Sequence, residues 1–137
     1  MTRVDFYLLD GNSAGGHETT TPKDMAVCRL TNKAFLLGHR IYIHTADAAE
    51  AQRLDNLLWT FAAGSFIPHA TSHDADANIP VILGQDAPPE TFDDVLISLA
   101  PQVPECFSRF QRVAEVVGPG DEDKRLARER FRFYRDR

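Results

Sequence analysis

Short apolar runs separated by stretches of helical character constrain this chain more than any other feature in it. The runs read VDFYLLD (4–10), RIYIHTA (40–46), PVILG (80–84), DVLISL (94–99) and RVAEVV (112–117). They are rich in strand formers and short, as expected for strands covered on both faces. Between the first two, Thr21 is placed to cap a helix, Pro22 suits its first position and Asp24 its first turn. That helix should run to Leu37 and stop at Gly38. Asp47, with Glu50 three residues on, forms an acidic capping box opening a second helix that ends near Phe61. SFIPH (65–69) is expected as a short extended piece, 70–80 as a polar loop, 104–110 as a short helix and 121–137 as a long last helix. Strands alternating with helices in this way indicate an α/β fold, a Rossmann-like three-layer sandwich with a mainly parallel central sheet. At 137 residues, 43% hydrophobic, the chain is expected to form one domain spanning 1–137.

Several classes are disfavoured. No apolar stretch approaches the ~20 residues that span a bilayer. The start, MTRVDFYLLDGNS, has its apolar run broken by Asp5 and Asp10 and no small-residue cleavage site, so a cytoplasmic protein without membrane attachment is expected. Cys28 and Cys106, the two cysteines, are too few for a disulfide framework or a zinc site and read as packing groups in a reduced compartment.

The fold invites a nucleotide-binding enzyme as an alternative, so the first strand–helix loop, DGNSAGGHETTTPKD, is the place to test it. Gly11, Gly15 and Gly16 do not have the G-x-G-x-x-G spacing, several polar residues separate them from Pro22, and no Gly-Lys-Ser/Thr follows. His69, His73, Asp74 and Asp76 are candidate metal ligands. However, an EF-hand loop would require Gly and Glu where Ile79 and Gln85 stand, and no helical periodicity aligns the histidines. Ser98 lies in an apolar strand without a nucleophile elbow. No catalytic centre, cofactor or metal is expected.

Two surfaces stand out instead. On the helix opened by Asp47, the apolar stripe is Ala51, Leu54, Leu57, Leu58 and Phe61, whereas Trp59 falls on the polar side beside Gln52 and Asp55. An outward tryptophan followed by Phe66, Ile67 and Pro68 resembles an interface anchor. The other surface is KRLARERFRFYRDR (124–137), with a net charge of +5 in a chain whose total is -5, which leaves -10 on the first 123 residues. So acidic a body argues against direct DNA binding. At 3.6 residues per turn, Lys124, Arg125, Arg128, Arg132 and Arg135 share about one third of the helix circumference. Leu126, Ala127, Phe133 and Tyr134 line the other side with Arg130 awkwardly among them, and Phe131 borders the cations. Macrodipole complementarity explains the acidic start and basic end, but not this lateral segregation. Cations beside an aromatic suit a short acidic peptide that ends in an apolar or aromatic residue.

DFYLLD, RLDNLLWTFAAGSFIPH, DVLISL and LARERFRFYR, in this order over nearly the whole chain, resemble the chi-subunit family of bacterial DNA polymerase III holoenzymes. The resemblance implies a non-catalytic clamp-loader accessory protein with a Rossmann-like fold. Its partners would be psi, which tethers chi to the clamp loader, and the acidic, Phe-terminated tail of single-stranded-DNA-binding protein; DNA would be reached only indirectly. It places the tail site on Val117, Lys124, Arg128, Phe131 and Arg132, and psi, or a helicase, on a surface that includes Trp59 and Phe66. Two departures are evident: Phe131 stands where better-known members carry Tyr, losing a hydroxyl, and the loop 70–80 is short and polar.

Overall fold

A computed structural model describes residues 2–9, 22–60, 67–72 and 78–136. The apolar runs become β1 (Arg3–Leu8), β2 (Ile41–His44), β4 (Val81–Gly84), β5 (Val95–Ser98) and β6 (Arg112–Val117), with a short β3 (His69–Thr71). The helices are α1 (Pro22–Leu36), α2 (Ala48–Leu58) and α3 (Asp121–Arg135). The six strands form one sheet in the order β1-β6-β5-β2-β4-β3, and every pairing is parallel. Two cores follow from the alternation of side chains across that sheet. One face, with Ile41, Ile43, Leu83, Ile97 and Val116, packs on Val27 and Cys28 of α1 and Leu54 and Leu58 of α2. The other, with Tyr42, Ile82, Leu96 and Val113, packs on Phe92, Phe110 and, through Tyr134, on α3.

Local signals end the elements as physical chemistry requires. Gly38 takes φ 86°, and the amides of Gly38 and His39 bond back to the carbonyls of Phe35 and Ala34, closing α1. Asp47 accepts from the Glu50 amide at 2.8 Å, while the Glu50 carboxylate accepts from the Ala46 amide, also at 2.8 Å, one residue outside the usual capping box. Asp47→Ala should therefore cost about 1 kcal/mol, a fall of about 4 °C in Tm by calorimetry, whereas Asp47→Asn should retain most of it.

Several expected boundaries shift. α2 stops at Leu58 with Trp59 as its C-cap, ahead of the expected end, and Phe61 lies outside the described residues, as does the Thr21 cap. The segment 104–110 is a single 3-10 turn, Phe107–Arg109, because Phe110 returns to extended backbone to feed β6. The loop expected over 70–80 gives up Ala70 and Thr71 to β3, whose register partners are Ile82 and Leu83 of β4. Asp24, buried in the first turn of α1, receives two hydrogen bonds of 3.1 Å from Arg53 of α2 and so ties the two helices on their shared face.

Candidate functional site

β6 ends at Val117, and α3 turns back over the β1–β6 end of the sheet, held there by a polar anchor. Glu115 of β6 is 0% exposed. Arg130 Nε donates to its Oε1 at 3.1 Å, Tyr134 Oη donates to its Oε2 at 2.6 Å, and Arg130 Nη1 donates to the Pro101 carbonyl at 2.9 Å. Burial pushes the Glu115 carboxyl above its usual range, and the bonds from Tyr134 and Arg130 pull the other way. Arg130, the cation that broke the helical pattern, is thus a buried counter-ion and not part of the exposed surface. Phe6 of β1 meets Phe131 and Tyr134 edge-on, with ring centroids 5.9 and 6.0 Å apart.

That anchor leaves the flank of α3 over β1 open, and ion pairing divides its cations into two kinds. Arg125 bridges Glu122 and Glu129, and Arg135 pairs with Asp136. Lys124, Arg128 and Arg132 have no carboxylate partner among the described residues, and both arginines are exposed. Phe131 stands beside them, 53% exposed. Leu8, on the same face of β1 as Phe6 and 65% exposed, extends the apolar border. β1 is an edge strand whose partner among the described residues is β6. The arrangement offers three uncommitted cations alongside exposed apolar side chains, which suits an anionic peptide with an apolar end.

Val117 falls apart from this set. It is 1% exposed and lines a cavity of about 200 Å³ with Leu126 and Arg130, on the flank of α3 away from the three cations. Its register partner Leu8 carries the exposed apolar surface there instead. Leu8 was missed in the sequence because nothing local marks β1 as an edge strand.

At the other edge of the sheet, Trp59 is 49% exposed and its ring meets that of His69 at a tilt of 45°, with 4.2 Å between centroids. His69 of β3 meets the Ile67 carbonyl through Nδ1 and the Asp55 carbonyl through Nε2, at 2.5 and 2.8 Å. These contacts, with the Asp55 carboxylate 3.6 Å from Nε2, place His69 as a clamp between β3 and the end of α2. His73, Asp74 and Asp76 lie outside the described residues, among which no group of three or more ligating side chains gathers. Ile67 is a correction: it belongs to the core, not to the surface, because the chain entering β3 turns it under α2. Pro68 is partly exposed, and Phe66 lies outside the described residues.

Of the candidate nucleophiles, Cys28 is buried and its thiol is pushed up to about 12, by desolvation first and by Asp24 second. Cys106 is also raised by burial, and Ser98 is fully enclosed. The loop 10–21, where a nucleotide would be held, lies outside the described residues.

A family model described as DNA polymerase III chi subunit, HolC, matches residues 1–137. A protein of Pseudomonas aeruginosa called DNA polymerase III subunit chi is 39% identical over 136 residues, spanning 99% of this chain and 91% of the relative. Its namesake in Escherichia coli K12 is 31% identical over 137 residues, 98% of this chain and 92% of the relative. That of Haemophilus influenzae is 28% identical over 136 residues, 96% and 89% of the two chains.

Proposed function

The chain belongs to the DNA polymerase III chi subunit family, and on that premise we propose that it is a non-catalytic connector within the holoenzyme. One surface captures the acidic C-terminal tail of single-stranded-DNA-binding protein; the other engages psi, or a helicase in its place. The observation that carries the tail site is the row Lys124, Arg128 and Arg132, free of carboxylates among the described residues and flanked by exposed Phe131. Carboxylates of the tail pair with the three cations, and its terminal aromatic packs on Phe131 and Leu8. Val117 supports the turn into α3 from beneath. Trp59, with Pro68 and Phe66, forms the second surface, its indole held in place by His69.

Exposed ion pairs contribute up to about 1 kcal/mol each, so the expected affinity is micromolar and weakens with salt. Titrating a synthetic acidic peptide ending in Phe by calorimetry should show Arg128→Ala binding about fivefold more weakly than the parent. Equal affinities would remove Arg128 from the site. For the second surface, capture of purified psi or helicase should be lost on Trp59→Ala while peptide binding is retained.

A further inference from the structure

A cavity that the connector role leaves unused opens beyond the C-terminal ends of β2, β5 and β6. The chain leaving β2 crosses one face of the sheet as α2 on its way to β3, whereas the chain leaving β5 crosses the other face to reach β6. β2 and β5 are neighbours, so the winding of the sheet reverses between them. Open parallel sheets hold their ligands beyond the strand ends at such a point. The cavity measures about 200 Å³. Drug-sized sites begin near roughly 300 Å³, so this one suits a compound of a few carbons and not a nucleotide. Leu99, Val116, Val117 and Leu126 supply apolar wall, and Lys23 and Arg130 supply positive charge.

Arg130 points to an occupant. Its side chain is 8% exposed, yet the guanidinium is not fully engaged. Nε donates to Glu115 and Nη1 to the Pro101 carbonyl, while Nη2 donates to nothing among the described residues. Nη2 is not sealed off either, since the enclosed polar atoms without a partner are His44 Nδ1 and Ser98 Oγ, neither on this lining. The small open part of the side chain therefore faces the cavity that it lines, with the Nη2 hydrogens unmatched. A cation nine-tenths buried has lost most of its water, so donors left open beside apolar walls favour an acceptor. Lys23, the second residue of α1, makes no ion pair among the described residues, and its charge helps to lower the pKa of the nearby Glu115 carboxyl. The two carboxylates on the lining are already committed. Glu50 accepts from the Ala46 amide at 2.8 Å and faces Arg53 at 3.7 Å. Asp123 accepts from the Gly120 amide at 3.3 Å and lies close over Gly118, where an added Cβ would meet its Oδ2 at 2.6 Å.

We propose that this cavity binds a small aliphatic monocarboxylate, its carboxylate set between Arg130 Nη2 and the Lys23 ammonium and its body against Leu99, Val116 and Leu126. One negative charge then meets two cations, and a short carbon chain fills the remaining space. A phosphate, close to doubly charged near neutrality, would bring the larger charge beside Glu50 and Asp123. An organic cation would meet Lys23 and Arg130. The three free cations of the tail site lie on the other flank of α3, so the cavity stands or falls independently of that reading.

Isovalerate is the probe, titrated into the ¹⁵N-labelled full chain and followed by amide chemical shifts and the Arg130 Nε–H signal. Isovaleramide is its neutral isostere and inorganic phosphate the second anion. Saturable shifts should appear in residues 99–101, 116–118 and 126–130, together with Arg130 Nε–H. Isovaleramide should bind about tenfold more weakly or worse, and so should isovalerate to Lys23→Gln, since each loses a charge-assisted contact. Lys23→Arg keeps the charge and should stay within about threefold of the parent. Lys23 is partly exposed, so both variants should keep the parent spectrum elsewhere. Binding should persist in Arg128→Ala and under saturation with the acidic peptide ending in Phe. No saturable shift with isovalerate, equal affinity for isovaleramide, tighter binding of phosphate, an undiminished affinity in Lys23→Gln, or displacement by the peptide would each overturn the proposal.

Discussion

Arg130→Met is expected to lower the free energy of unfolding by about 3 kcal/mol or more, because it strands the Glu115 carboxylate in the interior without its counter-ion. Glu115 is fully buried, Arg130 is 7% exposed, and the two meet at 3.1 Å beneath α3. Urea denaturation read by circular dichroism measures the loss, and its pH dependence identifies the cause. Burial already raises the folded-state pKa of Glu115, and Arg130 is one of the groups that restrain the rise. An acid raised in the folded state stabilises that state as pH falls through its folded pKa and loses the contribution as pH rises again. Removing Arg130 lifts the pKa further, so the deficit of Arg130→Met should be larger at pH 8 than at pH 5. Glu115→Leu/Arg130→Met should recover most of the stability, since two apolar groups can replace a buried ion pair at little cost. A deficit independent of pH would mean that Arg130 acts through packing alone.

The second large effect concerns the tail site. Lys124→Gln/Arg128→Gln/Arg132→Gln should weaken the acidic peptide about 100-fold, since three pairs of roughly 1 kcal/mol each are lost. Arg125→Gln/Arg135→Gln removes two cations from the same helix face yet should change affinity less than about threefold, because those arginines already face Glu122, Glu129 and Asp136. If affinity instead followed the number of cations removed, the peptide would be reading net charge and not a defined row. Calorimetric titration at fixed ionic strength separates the two outcomes.

Much of the fold was legible because its determinants are local. Apolar runs, the Gly38 stop and the Asp47–Glu50 cap each act within a few residues, and the structure keeps all three. Helical periodicity also separated the cationic flank of α3 from its packing side, and the arginine that violated the pattern proved to be the buried one. What stayed hidden depends on strand order, which couples residues far apart in sequence. Nothing near Leu8 announces an edge strand, and nothing near Val117 or Ile67 announces that α3 and α2 will cover them. The row of Glu115, Ser98 and His44 across β6, β5 and β2 likewise exists only once register is fixed.

The strand order also sets a distance. α3 lies over β1 at one margin of the sheet and Trp59 stands by β3 at the other, with four strands between them. At a strand spacing near 4.8 Å the sheet is about 24 Å wide, and the two surfaces look out from opposite sides of it. A parallel sheet packed on both faces is stiff, so on the proposed connector reading it acts as a strut on which two large partners would dock at once without colliding. What one gains from the other is nearness along a rigid span, which raises its effective local concentration without any change of shape in between.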